Sequence, residues 1–120
     1  MKKWLLTLFY LWMVNAGFTQ SWMKKYDHVD ECICGLSLVG KDNKHGFVDK
    51  AGKVVVPLIY DEALTFSEGY AAVMQKYKWG YIDSTGKTIV ELQYTEAMSF
   101  HDDLASVAKG ANYGFINKKG

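Results

Sequence analysis

Trp79-Gly80-Tyr81-Ile82-Asp83-Ser84-Thr85-Gly86-Lys87 decides the architecture, because the chain writes this stretch more than once. His45-Gly46-Phe47-Val48-Asp49-Lys50-Ala51-Gly52-Lys53 stands 34 residues before it, and Tyr113-Gly114-Phe115-Ile116-Asn117-Lys118-Lys119-Gly120 stands 34 residues after. Self-similarity at a fixed period marks a repeat architecture and outranks any local reading. The period also holds away from the motif. Tyr26, Tyr60 and Tyr94 fall on it, as do Val39, Val73 and Val107, Phe66 and Phe100, Ala63 and Ala97, and Ala71 and Ala105. Gly35 and Gly69 agree, while the third copy has Asp103 there. Aligned without a gap, residues 26–59 and 60–93 are identical at 11 of 34 positions, a match that keeps Gly, Tyr and Val in register together. The copies are therefore 26–59, 60–93 and an incomplete third, 94–120.

Each copy reads as β structure. In the first, Gly35–Val39, His45–Asp49 and Lys53–Val56 are short strands, the last β-branched and bounded by Pro57. In the second, Tyr70–Gln75, Trp79–Asp83 and Lys87–Val90 repeat the order. Asp49-Lys50-Ala51-Gly52 and Asp83-Ser84-Thr85-Gly86 fit type I turns, with Asp accepting from the backbone and Gly taking a positive φ. Tyr60–Glu68 has no clean period and is expected to be a loop, or one helical turn, against the sheet edge. The fold class is all-β: a solenoid-like tandem array of antiparallel three-stranded meanders. Strand parity puts Trp79 with Tyr81, and Tyr113 with Phe115, on one face, and Gly80 with Ile82 on the other. A Gly inside a strand marks close approach by another group, and a repeated ring, Tyr60 or Tyr94, is the expected neighbour. With both faces partly apolar, successive copies should stack. Because arrays need about three units, a third copy without its last strand predicts low stability or edge-to-edge self-association.

Trp79-Gly80-Tyr81-Ile82-Asp83, Thr85-Gly86-Lys87, Tyr60-Asp61-Glu62-Ala63 and Phe66–Val73 together resemble the bacterial WG-repeat family. The resemblance spans roughly residues 26–120. It implies a secreted or surface protein of tandem β-rich repeats, with no catalytic residue attached to the motif. His45 and Tyr113 replace the tryptophan in the flanking copies, and Glu91 stands where Pro57 stands in the first.

The beginning of the chain reads differently. Lys2 and Lys3 precede an apolar run, Trp4–Val14, then Asn15-Ala16-Gly17, the pattern of a secretory signal peptide over residues 1–20, cut between Ala16 and Gln20. The run is too short to cross a bilayer as a helix. This places the mature chain outside the cytoplasm: secreted, periplasmic or on the cell surface. All 14 basic residues are Lys; removing Lys2 and Lys3 leaves 12 against 13 Asp plus Glu. Without Arg or a basic surface, nucleic-acid recognition is disfavoured.

Chemistry-bearing clusters are few. Cys32-Ile33-Cys34 lies where the second copy has Phe66-Ser67-Glu68. In an exported protein it suggests a disulfide, strained if local and otherwise between chains, or inert thiols. A metal clip would need His28 and His45 as further ligands, and the repeat keeps no such set. Glu62 and Glu96 occupy equivalent positions one period apart, and His101-Asp102-Asp103 replaces a turn, so neither reads as a catalytic pair. No enzyme activity and no cofactor are expected. The aromatic column Trp79, Tyr81, Tyr113 and Phe115 has two readings, the core between repeats or an outward binding face. The function expected is non-catalytic binding of another macromolecule, a protein or a cell-surface polymer, through a repeat face. The alternatives are a wall- or glycan-binding module using exposed rings, and a remnant of a longer repeat protein. Trp-Tyr-Gly motifs also mark choline- and glucan-binding repeats, but those have a shorter period.

Overall fold

The motif Gly-ring-Ile/Val-Asp becomes a strand and a turn in each copy of the computed structural model, which describes residues 21–120. The signal-peptide reading of residues 1–20 lies outside the described residues. After a 3-10 turn, Ser21–Lys25, eleven strands follow: β1 His28–Ile33, β2 Leu36–Lys41, β3 Lys44–Asp49, β4 Val54–Tyr60, β5 Glu62–Ala63, β6 Tyr70–Gln75, β7 Lys78–Asp83, β8 Thr88–Tyr94, β9 Glu96–Ala97, β10 Ala105–Lys109 and β11 Asn112–Ile116. They form three antiparallel sheets in chain order: β1-β2-β3-β4, β5-β6-β7-β8 and β9-β10-β11. Among the described residues no helix is long and apolar enough to cross a membrane.

The three-stranded meander is present in each complete unit, with one addition. The segment expected to be a loop or a helical turn places Glu62–Ala63 against Met74 and Val73 as a short first strand. Phe66 then turns inward and is buried. The turns follow the sequence. Asp49 Oδ1 accepts from the amides of Ala51 and Lys53, and Asp83 Oδ1 from those of Thr85 and Lys87. Asn117 repeats the first of these bonds with Lys119. Gly52 and Gly86 close the turns at φ 87° and 90°, where a side chain would be strained.

A second brace went unread in the sequence. The hairpin tips Asp42-Asn43 and Lys76-Tyr77 hold positive φ at both positions without a glycine, a conformation L-residues resist. Asp27 accepts from the Asp42 amide at 3.0 Å and Asp61 from the Lys76 amide at 2.9 Å. Thr95 does the same for Gly110. These three residues are one repeat position.

The neighbour of the motif glycine is backbone, not an aromatic ring. A Cβ on Gly80 would lie 2.5 Å from the Val90 carbonyl oxygen and 2.8 Å from Leu92 N, and Gly46 meets Val56 and Leu58 in the same way. The cause is a bulge. Trp79 pairs with Tyr94 and Tyr81 with Val90, so two steps on β7 face four on β8. Pro57 therefore does not end its strand; it sits in the bulge, where the ladder asks for no donor.

Stacking then follows from parity. Leu36, Leu38, Phe47, Val56 and Tyr60 of the first sheet meet Ala63, Phe66, Ala71, Val73 and Ile82 of the second. Thirty-four residues on, Tyr70, Ala72, Tyr81, Val90 and Tyr94 meet Ala97, Phe100, Ala105, Val107 and Ile116. One interface is the other moved by a repeat. In both, a phenylalanine of the following unit packs edge-on against the motif ring: Phe66 on Phe47 at 4.7 Å, Phe100 on Tyr81 at 4.9 Å.

The bulge gives the first testable consequence. Gly80→Val must push the β8 backbone away, costing about 2–3 kcal/mol and lowering the melting midpoint by on the order of 10 °C. Gly114→Val, with nothing within 4 Å of its Cβ position, should melt like the parent. Circular dichroism melts of the two variants check this, and equal midpoints would refute the bulge account.

Candidate functional site

Forward, toward the next unit, is the direction in which Phe47 and Tyr81 point, and both are buried at 1% and 0% exposure. Phe115 occupies their position on β11 and is 74% exposed; Tyr113, in the place of Trp79, is 70% exposed. Leu104 and Met98 stand one period after Tyr70 and Leu64, which pack into the second interface. They too are exposed, at 47% and 61%. The forward face of the third sheet thus gathers four large apolar side chains whose counterparts in the preceding unit are buried, for Tyr81, or partly buried, for Leu64, Tyr70 and Trp79. Beside them runs a cleft of about 310 Å³, bounded by Tyr94, Val107, Gly114, Phe115 and Ile116.

The aromatic column is therefore split. Trp79 and Tyr81 lie between the second and third sheets, where Tyr81 donates to the Met98 carbonyl at 2.7 Å. Burial of its phenol, with Tyr94 nearby, pushes its pKa up to about 12. Tyr113 and Phe115 are open, and Tyr113 Oη reaches Glu96 at 3.2 Å. Met98 and Leu104 were missed because neither repeats the identity of its counterpart in the preceding copy, although Leu104 matches Leu36 two periods back. The signal available was position, 34 residues past Leu64 and Tyr70.

The backward face of the first sheet is covered. Trp22 falls on the repeat position of Val56 and Val90, and its ring lies against Gly52 as Val56 lies against Gly86. The backward-facing Ser37, Val39 and Val48 of the first sheet are buried.

The other sequence candidates separate. Cys32 is on β1 and Cys34 in a tip at φ 55°, both exposed free thiols. His28 Nε2 lies 2.7 Å from Asp30, and His45 is on β3 opposite Tyr60. Among the described residues no three His, Cys, Asp or Glu side chains are placed to hold a metal. Glu62 and Glu96 sit exposed on equivalent edge strands, and Asp102-Asp103 form a hairpin tip.

Charge clasps the last unit to the one before. Glu68 accepts from the Asp103 amide at 3.0 Å, and Lys118 lies 3.1 Å from Asp103 and 3.4 Å from Glu68. The Asp103 amide bond, helped by Lys118, lowers the Glu68 pKa. The Thr85 hydroxyl lowers that of Asp83, and the Lys44 ammonium, with the Lys76 amide, that of Asp61.

Such a fold is a stack of antiparallel β-meanders repeated at one period, the layout of a repeat protein. A family model described as WG containing repeat matches residues 46–79 and 79–113, and the chain belongs to that family. Searches among curated proteins and among solved structures returned no match.

The lowered carboxyls set a pH dependence. A depressed folded-state pKa contributes stability that is present above the ordinary carboxylate value and is lost as pH falls through the folded value. The melting midpoint should be level above about pH 5 and fall steadily toward pH 3. Glu68→Gln should flatten part of that fall, and an unchanged slope would remove Glu68 from the account.

Proposed function

We propose that this chain is an exported, non-catalytic WG-repeat protein that binds another macromolecule through a repeat face, the candidate among the described residues being the forward face of the third sheet. The carrying observation is the exposure of Met98, Leu104, Tyr113 and Phe115, against near-complete burial of the residue matching Phe115 in both earlier units. Contiguous apolar patches larger than a few hundred Å² mark interaction sites on soluble proteins, and these four exposed side chains lie on one face. Export is supported by Lys2-Lys3, the apolar run Trp4–Val14 and the small residues that follow. A protein partner suits the face better than a glycan, since its apolar rim of Met98 and Leu104 offers sugar hydroxyls no partner. The glycan reading keeps two open rings, Tyr113 and Phe115.

A photo-crosslinking phenylalanine analogue at position 115 separates these readings, with position 77 as control because Tyr77 is 85% exposed at a hairpin tip. Irradiation in the source's exported fraction should give a discrete polypeptide adduct from position 115 and none from position 77. Adducts that release sugar would favour the glycan module. A self-adduct would make a second copy the macromolecule, as edge-to-edge association requires. Equal, diffuse labelling at both positions would end the proposal.

A further inference from the structure

We infer that the first sheet carries a site for a divalent transition-metal ion, separate from the proposed binding face, with His28 and His45 as its protein ligands and Gly40 as its floor. The three residues form one row across the sheet: His28 on β1 pairs with Gly40 on β2, and Gly40 with His45 on β3. Directly paired residues share a face, so both imidazoles rise on one side with a residue lacking a side chain between them. A cleft of about 170 Å³ opens there, and its walls include both histidines, Gly40, Asp27, Lys41 and Lys44.

This row is where the first copy departs from the repeat. The second copy has Glu62, Met74 and Trp79 at these positions, and the third has Glu96, Ala108 and Tyr113. An acid, a residue with a side chain and a large ring are thus replaced together by imidazole, glycine and imidazole. The third copy shows that the outer members of the row can meet across a small middle residue: Tyr113 Oη lies 3.2 Å from the Glu96 carboxylate, over Ala108. Two imidazoles are shorter, and an ion bonded to both makes up the difference. A Cβ built on Gly40 would lie 3.4 Å from His45 Nε2 and 3.6 Å from the His28 Cβ. His45 Nε2 is therefore within about 7 Å of that Cβ, a gap that one imidazole and two metal–nitrogen bonds of about 2.0–2.1 Å can cover.

The ring nitrogens are sorted as well. His45 Nδ1 is buried without a hydrogen-bond partner among the described residues, which leaves Nε2, the atom over Gly40, to face a ligand. His28 Nε2 lies 2.7 Å from Asp30 Oδ1. Such a carboxylate contact fixes the tautomer of a ligating histidine and leaves Nδ1 for the metal. Asp27 and Asp30 offset a cation's charge; Lys41 opposes it, and Lys44 is engaged by Asp61. Imidazole suits zinc, copper and nickel. With no third side chain in place among the described residues, the remaining positions fall to water, as in an open, exchangeable site rather than a closed structural one.

The probe is Zn²⁺ alone, titrated into the full chain with Cys32 and Cys34 alkylated so that thiols do not compete, and followed by NMR of the histidine ring protons. His28 and His45 should shift together and saturate at one equivalent, while His101 in the third copy stays still. His45→Trp, the residue with which the second copy already folds, should abolish saturable binding and keep the circular dichroism spectrum. Gly40→Met should do the same without removing a ligand, because it fills the row as Met74 does. Asp30→Asn should weaken binding by about tenfold. Shifts that never saturate, that saturate on one histidine alone, or that persist in His45→Trp overturn the inference. So does inorganic phosphate, if it moves both rings at lower concentration than Zn²⁺ does, since the cleft is then an anion site.

Discussion

A carbonyl oxygen resting on a bare glycine Cα holds this array together. The Val90 oxygen takes the volume that any side chain on Gly80 would fill, and Val56 does the same at Gly46. Because β8 can come that close, it accommodates extra residues against β7 without leaving it, and the bulge turns its side chains over. Val90 then faces the following unit and Leu92 the preceding one. Tyr94 comes out forward, into the second interface, and the chain passes through Thr95 to β9. One residue without a side chain thus lets a single strand close its own sheet, contribute to two interfaces and deliver the chain to the next unit.

Stability in such a stack is shared unequally. The second sheet is covered on both faces: Ala71, Val73 and Ile82 look back, Ala72 and Tyr81 look forward, and all five are buried. Burying a ring of this kind contributes about 2–3 kcal/mol, and the two motif rings that receive it are the ones with a following phenylalanine. The last sheet has only its backward contacts and the clasp of Lys118 with Glu68 and Asp103. Those ion pairs are exposed and partly screened by solvent, so they orient the unit more than they stabilise it.

The elements legible in the sequence were those fixed by local chemistry repeated at one period. Asp49 and Asp83 announced their turns because the same carboxylate serves two amides within four residues. The stacking was legible from apolar residues on both faces of one strand. Three features depended on partners distant in sequence and were not. Glu62–Ala63 is a strand only because β6 lies beside it. The neighbour of Gly80 was expected to be a ring, since a bulge eleven residues away leaves no mark in the alternation of side chains. Asp27 and Asp61 were visible as identities, but their role as braces lies fifteen residues downstream. For the candidate site, Tyr113 and Phe115 were named, and Trp79 and Tyr81 with them. Parity puts all four on one side, but only the order of the copies decides which of them another unit covers.

Within the described residues that order treats the first and third sheets differently. The first sheet is covered by Trp22, which stands in the repeat position of Val56 and Val90 and lies on Gly52 as Val56 lies on Gly86. The third sheet turns Met98, Leu104, Tyr113 and Phe115 outward among the described residues, in the register its predecessors use for docking. Ser106 stands at the position of the buried Ala72. Among the described residues the third sheet thus presents the same forward register by which the first sheet meets the second and the second meets the third.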